Sequence, residues 1–125
     1  MDEALFALLT GNAPITARVA GRIYWGIAAQ GITGPTLVLN VISGADAPHL
    51  TGTDGFWRYR VQIDCYAPDR PSARLLSRDV INLLNGHTGG WFNAVFLDTV
   101  REDFEDAAAG RPSRISLDFN IIWRG

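Results

Sequence analysis

The chain has 125 residues, of which 47% are hydrophobic and 19% charged. That balance is globular rather than disordered, and the length suits one compact domain with a modest core, spanning residues 1–125. A formal net charge of −2 argues against a general nucleic-acid binder.

The N-terminal "MDEALFALLTGN" starts with two acids and a short apolar stretch, unlike a signal peptide. No run reaches the roughly 20 apolar residues of a membrane span. A lone cysteine forms no internal disulfide, so a cytosolic context is the default. All eleven basic residues are arginine. A GC-rich genome explains this bias, and so does the use of arginine at interfaces.

The first helix is expected over Glu3 to Thr10, capped by Asp2 and stopped by Gly11, with Leu5, Leu8 and Leu9 on one face. Asn12 caps a second helical turn with Pro14 near its start and Ile15 and Val19 on one face, and Gly21 ends it. A strand follows at Arg22 to Trp25. The loop "GIAAQGITG" leads to a second strand at Pro35 to Ser43, "PTLVLNVIS", whose apolar run suggests burial on both faces and a central position. Gly44 to Gly55 reads as a loop.

The third strand, Phe56 to Ala67, alternates. Trp57, Tyr59, Val61, Ile63 and Cys65 point one way. Arg58, Arg60, Gln62 and Asp64 point the other, onto a face expected to be solvated or interfacial. Asp69 or Ser72 then caps a helix to about Asn85. Its buried stripe is Ala73, Leu76, Val80, Leu83 and Leu84, with Arg74, Arg78 and Asn85 opposite and Leu75 and Ile81 flanking. A fourth strand is expected at Trp91 to Asp98, followed by the acidic loop "REDFEDAAAGRPS". The last strand, Arg114 to Arg124, turns Ile115, Leu117, Phe119, Ile121 and Trp123 to the core. It turns Arg114, Ser116, Asp118, Asn120 and Arg124 outward.

The order α-(α)-β-β-β-α-β-β specifies an α+β fold. It has a mostly antiparallel (mixed) sheet of about five strands with helices packed on one face. The third and fifth strands are long enough to run past the core as an arm, with edges that need cover.

Catalytic signals are weak. Cys65 with His49 or His87 is a conceivable nucleophile pair. Yet Cys65 is in phase with Val61 and Ile63, as a small buried hydrophobe, and Asp64 faces the other way. Two loop histidines without metal-ligand spacing make no zinc site. The cluster Asp98, Glu102, Asp103, Glu105 and Asp106 lacks a calcium-loop pattern. No phosphate-binding loop occurs, since "GTDG" and "GHTGG" lack both the lysine and the strand-to-helix context. No cofactor or metal is expected. Trp57 and Trp123 are in core phase, whereas Trp25 and Trp91 sit near strand ends, where exposed tryptophans anchor interfaces.

The run from "ALFALLTGNAPITARVAGRIYWG" through "GPTLVLNVIS" to "YRVQIDCYAPDRPSARLLSRDVINLL" resembles the tail completion, or tail terminator, proteins of long-tailed bacteriophages and gene transfer agents. The likeness covers roughly the first 85 residues, and the final two strands fit by pattern. Family members often carry a proline after the first strand, where this chain has Ala28-Ala29-Gln30-Gly31.

The resemblance implies a non-enzymatic virion protein, assembled in the bacterial host cytoplasm. It would form a hexameric ring on the head-proximal end of the tail tube, ending tube growth. Its partners would be further copies of itself, the major tail tube protein, a head–tail connector or stopper protein, and DNA passing through the lumen without sequence-specific binding. No membrane is involved. Candidate subunit or partner contacts are Arg58, Arg60, Asp64, Trp25, Trp91, Arg114 and Asp118. Candidate lumen-facing acids are Glu102, Asp103, Glu105 and Asp106. Open alternatives are another neck component, a cytosolic regulatory module, or a small enzyme or ligand-binding domain using Cys65, His49 or His87.

Overall fold

A computed structural model describes residues 1–26, 34–46, 56–103 and 112–124. The elements in chain order are α1 (Asp2–Thr10), α2 (Ala13–Val19), β1 (Ile23–Trp25), β2 (Thr36–Asp46), β3 (Phe56–Ala67), α3 (Arg70–Leu84), β4 (Phe92–Asp103) and β5 (Ser113–Arg124). The α+β reading and its element order therefore hold.

The helix starts differ in their chemistry. Asn12 accepts from the Ile15 N–H at 3.1 Å and caps α2. Asp69 accepts from the Ser72 N–H at 2.8 Å and caps α3. Each such cap satisfies an orphan donor and is worth about 1 kcal/mol. Asp2 does not cap α1. It lies inside the helix, whose N-cap is Met1 with no side-chain bond, and its carboxylate in the first turn favours the helix dipole. The stop of α2 comes one residue before the expected Gly21. Ala20 takes the left-handed conformation at φ 49° while its N–H still reaches the Thr16 carbonyl, and Gly21 follows at φ 84°.

The sheet order is β1-β2-β3-β5-β4. β1 lies parallel to β2, and every other pair is antiparallel. β3 and β5 pair over their full lengths, from Phe56 opposite Arg124 to Ala67 opposite Ser113. The alternation read in both strands is thus a shared register: Val61 faces Phe119, Ile63 faces Leu117, and Cys65 faces Ile115.

These residues join Leu5, Leu9, Ile15, Val19, Leu37, Leu39, Ala73, Leu76, Val80 and Leu84 in one buried cluster beneath the helices. The α3 stripe is as expected except at Leu83, which is only partly buried, while Ser77 takes a buried place. Leu75 stays exposed and Ile81 is half-buried.

α3 has 15 residues and rises about 1.5 Å per residue, so it covers about 22 Å. β3 has 12 residues at about 3.3 Å each, or about 40 Å. Running back from Ala67, the helix stops short of the first residues of the strand. There Trp57, although on the core side, is 38% exposed and stacks on Tyr59 with ring centroids 6.3 Å apart. β2 behaves likewise. Thr36 to Leu39 are buried on both faces, but Val41 to Gly44 are exposed.

Two strands run several residues past their expected ends. β2 continues to Asp46, pairing with Trp57. β4 continues five residues beyond Asp98, so Glu102 and Asp103 sit in a strand opposite Ile115 and Arg114 rather than in a loop.

Candidate interface on the open face of the sheet

The helices cover one face of the sheet. The other face brings Arg60, Gln62 and Asp64 of β3 beside Ser116, Asp118 and Asn120 of β5, and beside Asp98 and Arg101 of β4. Pleating forces this placement: each residue is out of phase with the apolar set of its own strand. In β4, a bulge between Leu97 and Thr99 leaves Asp98 without a partner in the ladder, and its carboxylate meets Arg60.

These side chains form one connected network. Arg60 reaches Asp98 Oδ2 at 2.7 Å, Asp118 Oδ2 at 3.1 Å and Asn120 Oδ1 at 3.4 Å. Arg101 donates to Asp118 at 3.3 Å and to Gln62 Oε1 at 3.2 Å. Gln62 in turn donates to Asp64 Oδ1 at 3.0 Å, and the Ser116 hydroxyl donates to the same oxygen at 2.5 Å.

Three of these side chains are buried within the chain rather than solvated. Asp64 is 5%, Ser116 4% and Asp118 7% exposed. They are short side chains on two interior strands, and Arg60 and Arg101 reach Asp118 from either side. Asp118 is paired with two arginines, and Asp64 accepts from the neutral Gln62 amide and Ser116 hydroxyl, so both buried carboxylates have hydrogen-bond donors. Arg114 pairs with Asp103 across β4 and β5, and Glu102 turns to the helix side, where Arg70 donates to it at 3.2 Å.

The other sequence candidates lie elsewhere. Trp25, 36% exposed, ends β1, and Trp91, 58% exposed, precedes β4. They are at opposite edges of the sheet, as the strand order dictates. Arg58 is exposed near the far end of β3. Glu105, Asp106, His49 and the Ala28–Gly31 stretch fall outside the described residues.

Cys65 is fully buried, and that burial, with the Asp64 charge adding to it, pushes its thiol well up, away from the reactive thiolate. His87 packs edge-on against Phe92 at 5.5 Å. It lies past the C-terminus of α3, whereas Cys65 lies just before the N-terminus, so about 22 Å of helix separates them. No group of three or more metal-ligating residues occurs among the described residues, and none of their helices is long and apolar enough to cross a membrane.

Sequence reasoning missed Asp98 and Arg101 as members of this network. Val100 was the available signal: an apolar residue inside the acidic run is what a continuing strand would show.

Asp98 supplies a pH prediction. Hydrogen bonding from Arg60, and then the Arg60 charge, hold its carboxyl below the ordinary 3.8. The same contact raises Arg60. A folded-state value below the unfolded one means that the contribution is present above about pH 4 and is lost as pH falls through the folded value. Urea midpoints will fall on acidification below about pH 4, and Asp98→Asn will flatten part of that fall. An unchanged slope in the variant would show that the pair adds no acid-sensitive stability.

The sequence profile of the family described as tail completion protein gp17 matches residues 3–124. The chain belongs to this family. A chain of the solved structure described as "Virion of native gene transfer agent (GTA) particle" is similar in fold, with a TM-score of 0.77 at 20% identity, covering 97% of this chain and 92% of that one. No curated protein matches the sequence. The family match spans both halves of the sheet. It therefore includes β4 and β5, which the sequence pattern alone had tied to the family least firmly.

Proposed function

We propose that this tail completion family member is a structural virion protein without catalytic activity. It forms a ring, most simply a hexamer, on the head-proximal end of the tail tube. The ring ends tube elongation and offers the joining surface for the head's connector or stopper protein, while DNA passes through its lumen. The observation that carries this reading is the family match over residues 3–124. The likeness in fold to a chain of a gene transfer agent virion supports it.

Within this reading the chain acts as one unit, assembled in the host cytoplasm and resident in the tail or neck of the particle. Arg60, Asp64, Arg114 and Asp118 hold strands of their own sheet together, since each is engaged within the chain. Contacts to neighbours are assigned to Trp25 and Trp91, which are exposed at the two edges of the sheet. The acidic stretch that begins with Glu102 and Asp103 and continues in sequence through Glu105 and Asp106 is placed near the lumen, where low positive charge lets DNA slide.

Electron microscopy of particles made without this chain tests the reading. Tails of uncontrolled length, or tails separate from heads, are the expected result. Normal joined particles would overturn it.

A further inference from the structure

α3 has two chemically different flanks. On one, Asp79 accepts from Arg18 of α2 at 2.5 Å. On the other, Arg70 donates to Glu102 of β4. With 3.6 residues per turn, Arg74 lies on the β4 side beside Arg70, and Arg78 lies further round, towards the outward crest of the helix and still on the side away from Asp79. Both are exposed, and neither has an ion-pair partner among the described residues. Leu75, 42% exposed, stands next to them.

Across the helical layer, α2 packs against both α1 and α3, so α1 lies beyond α2 from this basic flank. Its first turn carries Asp2 and Glu3. Both are exposed and likewise without an ion-pair partner among the described residues. Phe6 and Leu8 of the same helix are only partly buried.

We propose that the Arg74–Arg78 flank of α3 on one copy docks against the first turn of α1 on the next copy. Arg74 and Arg78 face Asp2 and Glu3, and Leu75 packs against the α1 surface. This rests on the ring reading given above. Charge complementarity selects the partner: the basic flank and the acidic turn lie on different sides of one helical layer. A contact between two such unlike surfaces repeats head-to-tail, and a ring is its closed form. Exposed ion pairs of this kind set orientation and encounter more than affinity.

The absence of lysine from the chain makes the contact directly testable. Arg74→Lys with Arg78→Lys keeps both charges and introduces side-chain amines at these positions alone. Assembled particles carrying this variant are treated with a carbodiimide, which joins an amine to a carboxylate at contact distance. The expected result is a dimer band on denaturing gels, whose peptides join position 74 or 78 to Asp2 or Glu3. Adding Asp2→Asn and Glu3→Gln removes that linkage. Native mass spectrometry of the rings released from the same particles runs alongside. Oligomers without the linkage overturn this interface and leave the ring reading standing. Release of monomers only, with no linkage, overturns both.

Discussion

Phe119→Ala will destabilise the chain by about 3–5 kcal/mol, the usual cost of emptying a buried aromatic site. Phe119 heads the fully buried side chains by volume. It sits on β5, between Val61 of β3 and Leu97 of β4 in the ladder, with the helical layer above it. Collapse into the vacated space is restricted because both neighbouring strands are held by paired backbone along their lengths. The loss appears as a lower denaturant midpoint at unchanged slope. Phe119→Leu, which keeps much of the volume, will lose less. A Phe119→Ala loss below about 1 kcal/mol would mean that this region is not the close-packed centre of the fold.

Asp118→Ala will cost about 1–3 kcal/mol through the open face, because the change removes an acceptor that two arginines share. Its carboxylate lies between Arg60 and Arg101, which retain Asp98 and Gln62 as other partners. Those remaining bonds limit the loss. Double-mutant cycles will divide the effect unequally. Arg60, with its side chain 34% exposed, will couple to Asp118 more strongly than Arg101, at 55%, because solvent screens the more exposed pair. Equal couplings would show that exposure does not set their strength, and vanishing ones that the network adds no stability. The same variant bears on assembly. If Asp118 holds the sheet rather than a partner, loss of function on Asp118→Ala will track loss of stability. Trp25→Ala or Trp91→Ala will impair assembly with little change in the denaturant midpoint.

Much of the architecture was open to sequence reasoning because its periodicities are clean. The two-residue alternation of β3 and β5 and the Leu/Val spacing of α3 each name a buried face without reference to anything distant. Asn12 and Asp69 declare their helix starts by local chemistry. The Asp2 expectation failed for an equally local reason: Met1 already takes the cap position, so the carboxylate falls one residue inside the helix. The extent of β4 was less legible because its second half is charged. Arg101 to Asp103 read as loop by composition, yet β5 supplies a partner ladder and opposite charges, with Asp103 beside Arg114 and Arg101 beside Asp118.

Phase along a strand states which way a side chain points, and it separated Cys65 from Asp64 correctly: the thiol enters the core and the carboxylate leaves it. Phase does not state what lies over a side chain once it points there. Trp57 shares the core face with Val61 but projects past the end of α3, so it stays open to solvent. Asp64 and Asp118 share the helix-free face with Arg60, but their place on interior strands and their neighbours bury them: Gln62 and Ser116 against Asp64, Arg60 and Arg101 against Asp118. The amino-acid sequence determined the elements, their faces and the family through local periodicity and motif. The depth of each side chain was decided only by the tertiary structure, because burial depends on strand order, helix length and neighbours dozens of residues away.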